Sequence, residues 1–149
     1  MRRVLVLTFL LISILVSDLS VYAAPHRFED FAIHGFSIDV PVGWLVSVNE
    51  EEICIDSPCG DMSIVFTYAH REVWNPHTLA LAIASEHKVN DIAKSEDNEE
   101  FDYEFTYTEN ETEFNIRTLH IQNIGIVMKS KSDFEKIQSI MSTFVLLSA

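Results

Sequence analysis

The sequence predicts an α+β domain in which an antiparallel β-sheet is flanked by two main helices. Several short runs alternate apolar with polar residues, which is the two-residue period of half-buried strands. Two other stretches repeat apolar residues at helical spacing and begin with helix-start signals. The order along the chain is several strands, a helix, three strands and a second helix, and this order favours helices packed on an antiparallel sheet.

The first strands are predicted in the N-terminal third of the chain. Residues 28–33 form a possible short strand, and residues 36–40 alternate apolar with polar side chains. Pro41 has no amide donor and marks a strand end, so residues 41–43 are predicted to form a turn. Residues 44–48 then return as a strand that begins with a tryptophan.

The two cysteines lie in the segment ICIDSPCGD, which is predicted to be the centre of a β-hairpin. A four-residue loop at residues 55–58 would place Cys54 and Cys59 opposite each other, with Cα atoms about 4.5 to 5.5 Å apart, which suits a disulfide. An even cysteine count in an exported chain also favours a disulfide, which in so short a loop contributes about 2 kcal/mol. Free thiols and a redox or metal pair stay open as alternatives.

Two helices follow from start signals and periodicity. Asn75 is a good N-cap and Pro76 suits the first helical position, where no amide donor is needed, so the first helix is predicted to run from Pro76 to about Lys94. The second helix is predicted to open at Ser132, with Glu135 three residues later as in a capping box. Its buried stripe is expected to consist of Phe134, Ile137, Ile140, Met141 and Phe144.

Three strands are predicted between the helices. Residues 101–107 place four aromatic side chains on one side and acidic or polar side chains on the other. Residues 113–123 return after a turn, and a shift in their apolar phase predicts a β-bulge near Arg117 and Thr118. A last short strand follows Gly125.

Residues 1–23 are predicted to be a cleaved signal peptide. A positive start precedes the apolar run at residues 4–16, and cleavage is expected after Ala23. As a helix, the run spans about 20 Å, short of a hydrocarbon core of about 30 Å, although an uncleaved membrane anchor stays open as an alternative. Residues 24–149 are then expected to form a single domain that acts in the periplasm or outside the cell.

The charge of the chain restricts its partners. It carries 10 Lys and Arg against 23 Asp and Glu, a formal net charge of −13. Without residues 1–23 the balance is 8 against 22, a net charge of −14. Such a charge disfavours nucleic acid and anionic membrane surfaces and permits a basic protein as the partner.

Nine acidic residues lie between Glu96 and Glu113, with no Lys or Arg among them. Such a surface suits a basic protein or Ca²⁺, although the chain has no D-x-[DN]-x-[DN]-G loop. Acidic residues opposite an aromatic face are also typical of the solvated side of a sheet, and this alternative stays open. The residues predicted to bind a partner are Asp102, Glu104, Glu109, Glu111 and Glu113.

The sequence carries no motif that predicts catalysis, a metal or a cofactor. The six histidines show neither H-x3-H nor H-E-x-x-H spacing. The chain lacks G-x-S-x-G, and its four glycines stand too far apart for a phosphate-binding loop. We therefore expect no catalytic residues, no metal and no cofactor.

A Pro-x-Gly-Trp motif and the pattern of the last helix are the most distinctive local features. The residues that carry them are Phe36, Ile38, Pro41, Gly43 and Trp44 at the front, and Asp133, Phe134, Ile137, Ile140 and Phe144 at the back. This combination resembles the PsbP-like family, whose α/β/α-type sandwich is shared by photosystem PsbP proteins, Ran-binding Mog proteins and small exported bacterial proteins. The resemblance covers most of residues 28–147 and implies a binding or assembly module with no shared catalytic set. Neither the cysteine hairpin nor the acidity belongs to that family pattern.

These observations predict an exported, non-catalytic protein-binding or assembly module that meets its partner through an acidic surface. One alternative is a periplasmic inhibitor or immunity protein that masks a basic lytic enzyme, since charge complementarity speeds such association. An alternative of another class is a small-ligand carrier or an enzyme that uses a pocket between the first helix and the sheet.

Overall fold

The computed structural model describes residues 25–30, 35–68, 75–96 and 100–147. The predicted signal peptide lies outside these described residues. Neither described helix is long and apolar enough to cross a membrane. The described elements are β1 (His26–Asp30), β2 (Phe36–Val40), β3 (Leu45–Val48), β4 (Glu52–Asp56), β5 (Met62–Tyr68), α1 (Pro76–Glu86), β6 (Ala93–Lys94), β7 (Tyr103–Glu109), β8 (Thr112–Ile121), β9 (Ile124–Ser130), α2 (Glu135–Met141) and β10 (Val145–Leu146).

The strands form two antiparallel sheets, and the predicted α+β class is confirmed. Seven strands lie in the order β3-β4-β5-β9-β8-β7-β6, and three lie in the order β1-β2-β10. The turn at residues 41–43 is present, because the Trp44 amide donates to the Pro41 carbonyl oxygen at 3.2 Å and Gly43 has a φ of +81°. It does not close a hairpin, however, since β2 belongs to the small sheet and β3 to the large one.

The larger of two hydrophobic cores lies between the two sheets and α2, and we call it the inter-sheet core. Phe36 has no exposed surface and stacks on Phe66 with ring centroids 4.4 Å apart, while Phe144 lies 5.2 Å from Phe36. The other buried members come from β2, β4, β5, β9, α2 and the segment before β7, and they are Ile38, Val40, Ile53, Ile55, Ile64, Phe101, Ile124, Ile126, Met128, Phe134, Ile137 and Ile140.

The smaller core lies on the opposite face of the seven-stranded sheet, under α1, and we call it the α1 core. Helix α1 begins as predicted, because the Asn75 side chain accepts a hydrogen bond from the Thr78 amide and Pro76 is the first helical residue. The buried members of this core are Leu79, Ala84, Phe105, Tyr107, Phe114, Ile116 and Val127.

Helix α1 is shorter than predicted and ends at Glu86 rather than near Lys94. The Val89 amide donates to the Ala84 carbonyl oxygen at 2.8 Å, and the Lys88 amide donates to that of Ser85 at 3.1 Å. This is a Schellman ending, in which Lys88, with a φ of +58°, takes the position usually held by glycine. Because no glycine stands there, the sequence did not signal the stop, and the residues beyond it form β6.

The start of α2 also differs from the prediction, and the capping box at Ser132 is wrong. The helix begins at Glu135, whose amide donates to the Asp133 carboxylate at 3.1 Å. Ser130 fixes the segment between β9 and α2, since its hydroxyl accepts a hydrogen bond from the Ser132 amide and donates one to the Asp133 carbonyl oxygen. The residue directly before the helix, Phe134, makes no side-chain capping hydrogen bond, and the Asp133 carboxylate, two residues before Glu135, satisfies the first helical amide instead.

Strand β8 has no bulge, because its pairing with β7 and β9 continues unbroken through Arg117 and Thr118. The shift in apolar phase has another cause. Phe114 belongs to the α1 core, whereas Leu119 packs against the inter-sheet core on the opposite face of the sheet. A strand that is covered first on one face and then on the other changes its apolar phase without an inserted residue.

The predicted disulfide is wrong, because Cys54 and Cys59 are both free thiols. The loop between β4 and β5 spans residues 57–61 rather than 55–58, so Cys54 lies opposite Val65 and Cys59 lies in the exposed turn. Ser57 closes this loop. Its amide donates to the Met62 carbonyl oxygen at 2.9 Å, and its hydroxyl donates to the Asp61 carboxylate at 2.5 Å.

Candidate functional site

The five residues predicted to bind a partner do not form one patch. Asp102 and Glu104 stand at the start of the β7–β8 hairpin, and Glu109, Glu111 and Glu113 stand around its turn. Glu109 lies seven positions after Asp102, which corresponds to about 23 Å along an extended chain. The acidic stretch therefore divides into two sites with different surroundings.

The first two carboxylates have partners within the fold. Asp102 Oδ2 accepts a hydrogen bond from the His120 amide at 2.7 Å. Glu104 pairs with Arg117 at 3.2 Å, and the Arg117 guanidinium lies 4.3 Å from the centroid of the Phe101 ring. These two acidic residues link the start of β7 to β8, and their predicted role in binding a partner stays a prediction.

The other three acidic residues are exposed at the tip of the β7–β8 hairpin, which we call the acidic tip (Glu109, Glu111 and Glu113). Glu109 lies 3.9 Å from Lys129, at the limit of an ion pair. The two turn residues, Asn110 and Glu111, have φ angles of +49° and +63°, as a two-residue type I′ turn requires. Glutamate is an unfavourable choice at the second position, where glycine is preferred.

A groove of about 380 Å³ lies between α1 and the large sheet, and we call it the α1 groove. It has the size of a small-ligand pocket. It runs beside β5, where Ser63, Val65 and Thr67 share one face. Its apolar lining includes Val65, Leu79, Ile83, Ile116 and Val127, and its polar rim includes Glu51, Glu52, Glu86, His87 and Lys129.

Tyr107 lines the α1 groove and is 93% buried, since 7% of its surface is exposed. The His87 ring stacks on it with centroids 3.8 Å apart, and the Lys129 ammonium lies 5.5 Å from its centroid. Its hydroxyl has no hydrogen-bond partner among the described residues. A buried hydroxyl in this state costs about 1 to 3 kcal/mol, and it belongs to a residue that lines the groove.

Cys54 lies next to the α1 groove, directly opposite Val65. Burial raises the pKa of its thiol, and the nearby carboxylates of Glu52 and Asp56 raise it further, while a hydrogen bond with Ser47 acts in the opposite direction. A raised pKa keeps the thiol protonated and therefore weakly nucleophilic at neutral pH.

The described residues contain no group of three or more His, Cys, Asp or Glu side chains arranged to hold a metal ion. Among the described residues of the α1 groove, the Ser63 hydroxyl makes no hydrogen bond to the His87 ring. Such a bond between a hydroxyl and a general base is what activates a nucleophile. The arrangement can bind an apolar body and offer it polar contacts at both ends.

A pocket between the first helix and the sheet was one alternative that the sequence left open, and the sequence did not indicate the residues that form it. Four aromatic side chains of residues 101–107 were predicted on one side of a strand. Phe105 and Tyr107 do share the α1 core, but Phe101 precedes β7 and lies in the inter-sheet core. The roles of His87 and Lys129 depend on where α1 ends and on how β9 pairs with β8. Neither the Lys88 helix stop nor that pairing has a local sequence signal.

Comparisons with known proteins concern the fold. No protein-family model and no curated protein sequence matches the chain. A crystal structure of a Bacteroides thetaiotaomicron protein is similar over 83% of this chain, with 11% identity and a TM-score of 0.50, and this chain spans about half of that protein, 49%. The solution structure of cyanobacterial PsbP from Synechocystis sp. PCC 6803 is similar over 85% of this chain and 95% of that one, with 10% identity and a TM-score of 0.44.

Proposed function

We propose that the protein is a non-catalytic binding module that takes a small ligand with an apolar body into the α1 groove. The observation that carries this proposal is Tyr107, a residue of the groove wall whose buried hydroxyl has no partner among the described residues. A ligand that hydrogen-bonds this atom gains the contact and removes the penalty of leaving it unmade.

The chemistry around the groove supports binding rather than catalysis. Val65, Ile83 and Val127 provide apolar surface, and small-molecule sites typically combine such a lining with a few placed polar groups. The nearby thiol of Cys54 has a pKa raised by burial and by two carboxylates, so it is a weak nucleophile at neutral pH.

We also propose membership of the PsbP-like family, on the strength of the Pro-x-Gly-Trp turn at residues 41–44 and the buried residues before it.

The test uses 1-hexanol, which has an apolar chain and one hydroxyl that can pair with Tyr107. Adding it to the ¹⁵N-labelled protein should shift the amide resonances of Val65, Ile83 and Val127 and leave those of β1 and β2 in place. Replacing Tyr107 by Phe should weaken hexanol binding about fivefold, which corresponds to one neutral hydrogen bond. The same variant should be more stable than the unliganded parent by about 1 kcal/mol, because the unpaired hydroxyl is gone.

Tyr103→Phe is the matched control, because Tyr103 lies on the same strand but does not line the α1 groove. It should leave hexanol affinity unchanged. The proposal would be contradicted if hexanol shifted no resonances or shifted those of another surface. It would also be contradicted if the Tyr107→Phe variant bound hexanol as tightly as the parent protein.

A second candidate function is the capture of a basic protein by the acidic tip. The observation that favours it is Glu111, which holds a φ of +63° at a turn position that suits glycine. A residue kept in a costly conformation is more often found where it has a role. Such a partner would include the basic lytic enzyme of an inhibitor or immunity pair.

Two substitutions at Glu111 separate its charge from its conformation. Glu111→Gly should stabilise the hairpin by about 1 kcal/mol, whereas Glu111→Gln removes only the charge and should leave the stability unchanged. Both variants should reduce salt-sensitive binding to lysozyme, which serves as a basic probe. If neither variant changes that binding, the acidic tip is a solvated surface.

A further inference from the structure

The two ends of the α1 groove differ in charge. At one end, Asn49 Oδ1 accepts hydrogen bonds from the amides of Glu51 and Glu52, at 2.9 and 2.8 Å. This turn fixes the backbone of two adjacent glutamates on the groove rim. Neither glutamate forms an ion pair with another described residue, so this end of the groove suits a cationic group.

The opposite end offers hydrogen-bond donors. The Tyr107 hydroxyl lacks a partner among the described residues, and the Lys129 ammonium lies 4.0 Å from the centroid of the Phe114 ring. Lys129 also approaches Glu109, at 3.9 Å. A partly exposed pair at this distance contributes about 0 to 1 kcal/mol, so a ligand carboxylate can replace it.

The register of the sheet gives the distance between the ends. Glu52 lies opposite Thr67 on β5, and Lys129 lies opposite Ser63, four residues away. Four residues of a strand span about 13 Å, and β4 and β9, on either side of β5, lie about 10 Å apart, so the Cα atoms of Glu52 and Lys129 are about 16 Å apart. An extended tetrapeptide of about 13 Å, with a hydrogen bond of about 3 Å at each end, spans this distance. The side chains of Ser63, Val65 and Thr67 repeat along the groove every two residues, which matches the repeat of an extended ligand.

We infer that the α1 groove binds a short peptide of three or four residues with both ends free. Its N-terminal ammonium lies at Glu51 and Glu52, its apolar side chains lie over Val65 and Val127, and its C-terminal carboxylate lies at Tyr107 and Lys129. This inference rests on the proposed function, because it assigns a ligand class to the same groove.

The test compares three forms of the tetrapeptide Ala-Val-Leu-Ala by isothermal titration calorimetry. The free peptide should bind, and N-acetylation or C-amidation should each weaken binding about tenfold, since each removes a charge-assisted contact. The Glu51→Gln/Glu52→Gln double variant should weaken binding of the free peptide to the level of the acetylated peptide. It should not weaken the acetylated peptide further.

Glu50→Gln is the matched control, because Glu50 lies in the same turn and does not line the groove. It should leave the affinity for the free peptide unchanged. Thermal unfolding of each variant separates lost binding from lost folding, and hexanol binding to the double variant serves the same purpose, since an intact groove still takes the neutral probe.

The outcomes distinguish this inference from the proposed function. If hexanol shifts the groove residues while the free and capped peptides bind equally or not at all, the peptide inference is overturned and the binding groove stands. If neither hexanol nor any peptide reaches the groove residues, both are overturned.

Discussion

The two faces of the seven-stranded sheet are covered in different ways. On one face, the small sheet and α2 close the inter-sheet core, and Phe36, Phe66 and Phe144 stack within it. On the other face, one short helix covers part of the sheet and leaves the α1 groove beside it. Both of the described buried side chains that lack a hydrogen-bond partner, Tyr107 and Thr118, point to this second face.

This difference separates stability from binding within one fold. A closed face of aromatic and aliphatic side chains supplies most of the hydrophobic free energy of folding. The open face can then tolerate a groove and unpaired polar atoms, each at a cost of about 1 to 3 kcal/mol. Substitutions on the two faces should therefore affect stability and ligand affinity in different proportions.

The largest expected effect comes from truncating the closed face. Phe36→Ala should reduce the free energy of unfolding by about 3 to 5 kcal/mol, because Phe36 is fully buried and its removal leaves a cavity beside the equally buried Phe66. Phe114→Ala, in the α1 core, should cost less, because Lys129 and Lys131 cover that ring and their flexible chains can settle into the space. Urea unfolding of both variants measures the difference, and equal losses would contradict the comparison of the two faces.

The next effect comes from pushing α1 away from the sheet at Gly125. A Cβ atom there would lie 3.0 Å from Thr67 Cγ2 and 3.1 Å from Leu79 Cδ2. Gly125→Ala should therefore cost about 1 to 3 kcal/mol through overpacking and should change hexanol affinity, because the helix and the strand that must separate both line the groove.

Leu79→Ala provides the double-mutant control for Gly125→Ala. It removes one of the two clashing side chains, so the combined loss of stability should be smaller than the sum of the separate losses. Additive losses would show that Gly125 and Leu79 do not press on each other, and would contradict the close approach of α1 to the sheet.

The comparison of faces also explains what the sequence could predict. Alternation predicted β2 and β7, and Asn75 with Pro76 predicted the start of α1, because these signals are local. The end of α1 was missed because Lys88 takes a conformation that usually requires glycine. The bulge and the disulfide were wrong for a related reason, since both depended on pairing register, which distant strands decide. A pocket beside the first helix was only one alternative that the sequence left open, and the unpaired hydroxyl of Tyr107 results from packing that has no sequence motif.

A smaller effect is expected at Thr118, which is fully buried and whose hydroxyl lacks a partner among the described residues. Thr118→Val keeps the shape and removes the polar atom, so it should stabilise the protein by about 1 kcal/mol. Because Thr118 does not line the groove, hexanol affinity should stay the same, unlike that of Tyr107→Phe. Thr106→Val, at an exposed position on β7, is the matched control and should change stability little. A loss of stability in Thr118→Val would show that the Thr118 hydroxyl has a hydrogen-bond partner.

The smallest effect concerns the thiols that were predicted to form a disulfide. Burial, Glu52 and Asp56 raise the pKa of Cys54 above its ordinary value of 9.0. The folded state therefore holds this proton more tightly than the unfolded state, so its contribution to stability is fully present below pH 9.0 and is lost as the pH rises through the raised pKa. Cys54→Ala should remove this loss of stability at alkaline pH, whereas Cys59→Ala, in the exposed turn, should keep it.

Alkylation rates test the same two thiols directly. In the parent protein at pH 8, iodoacetamide should alkylate Cys59 faster than Cys54, because a raised pKa and partial burial both reduce the reactive thiolate. Equal rates, or a mass two hydrogens lower with no alkylation, would overturn the assignment of two separate thiols, one partly buried on β4 and one in the exposed turn.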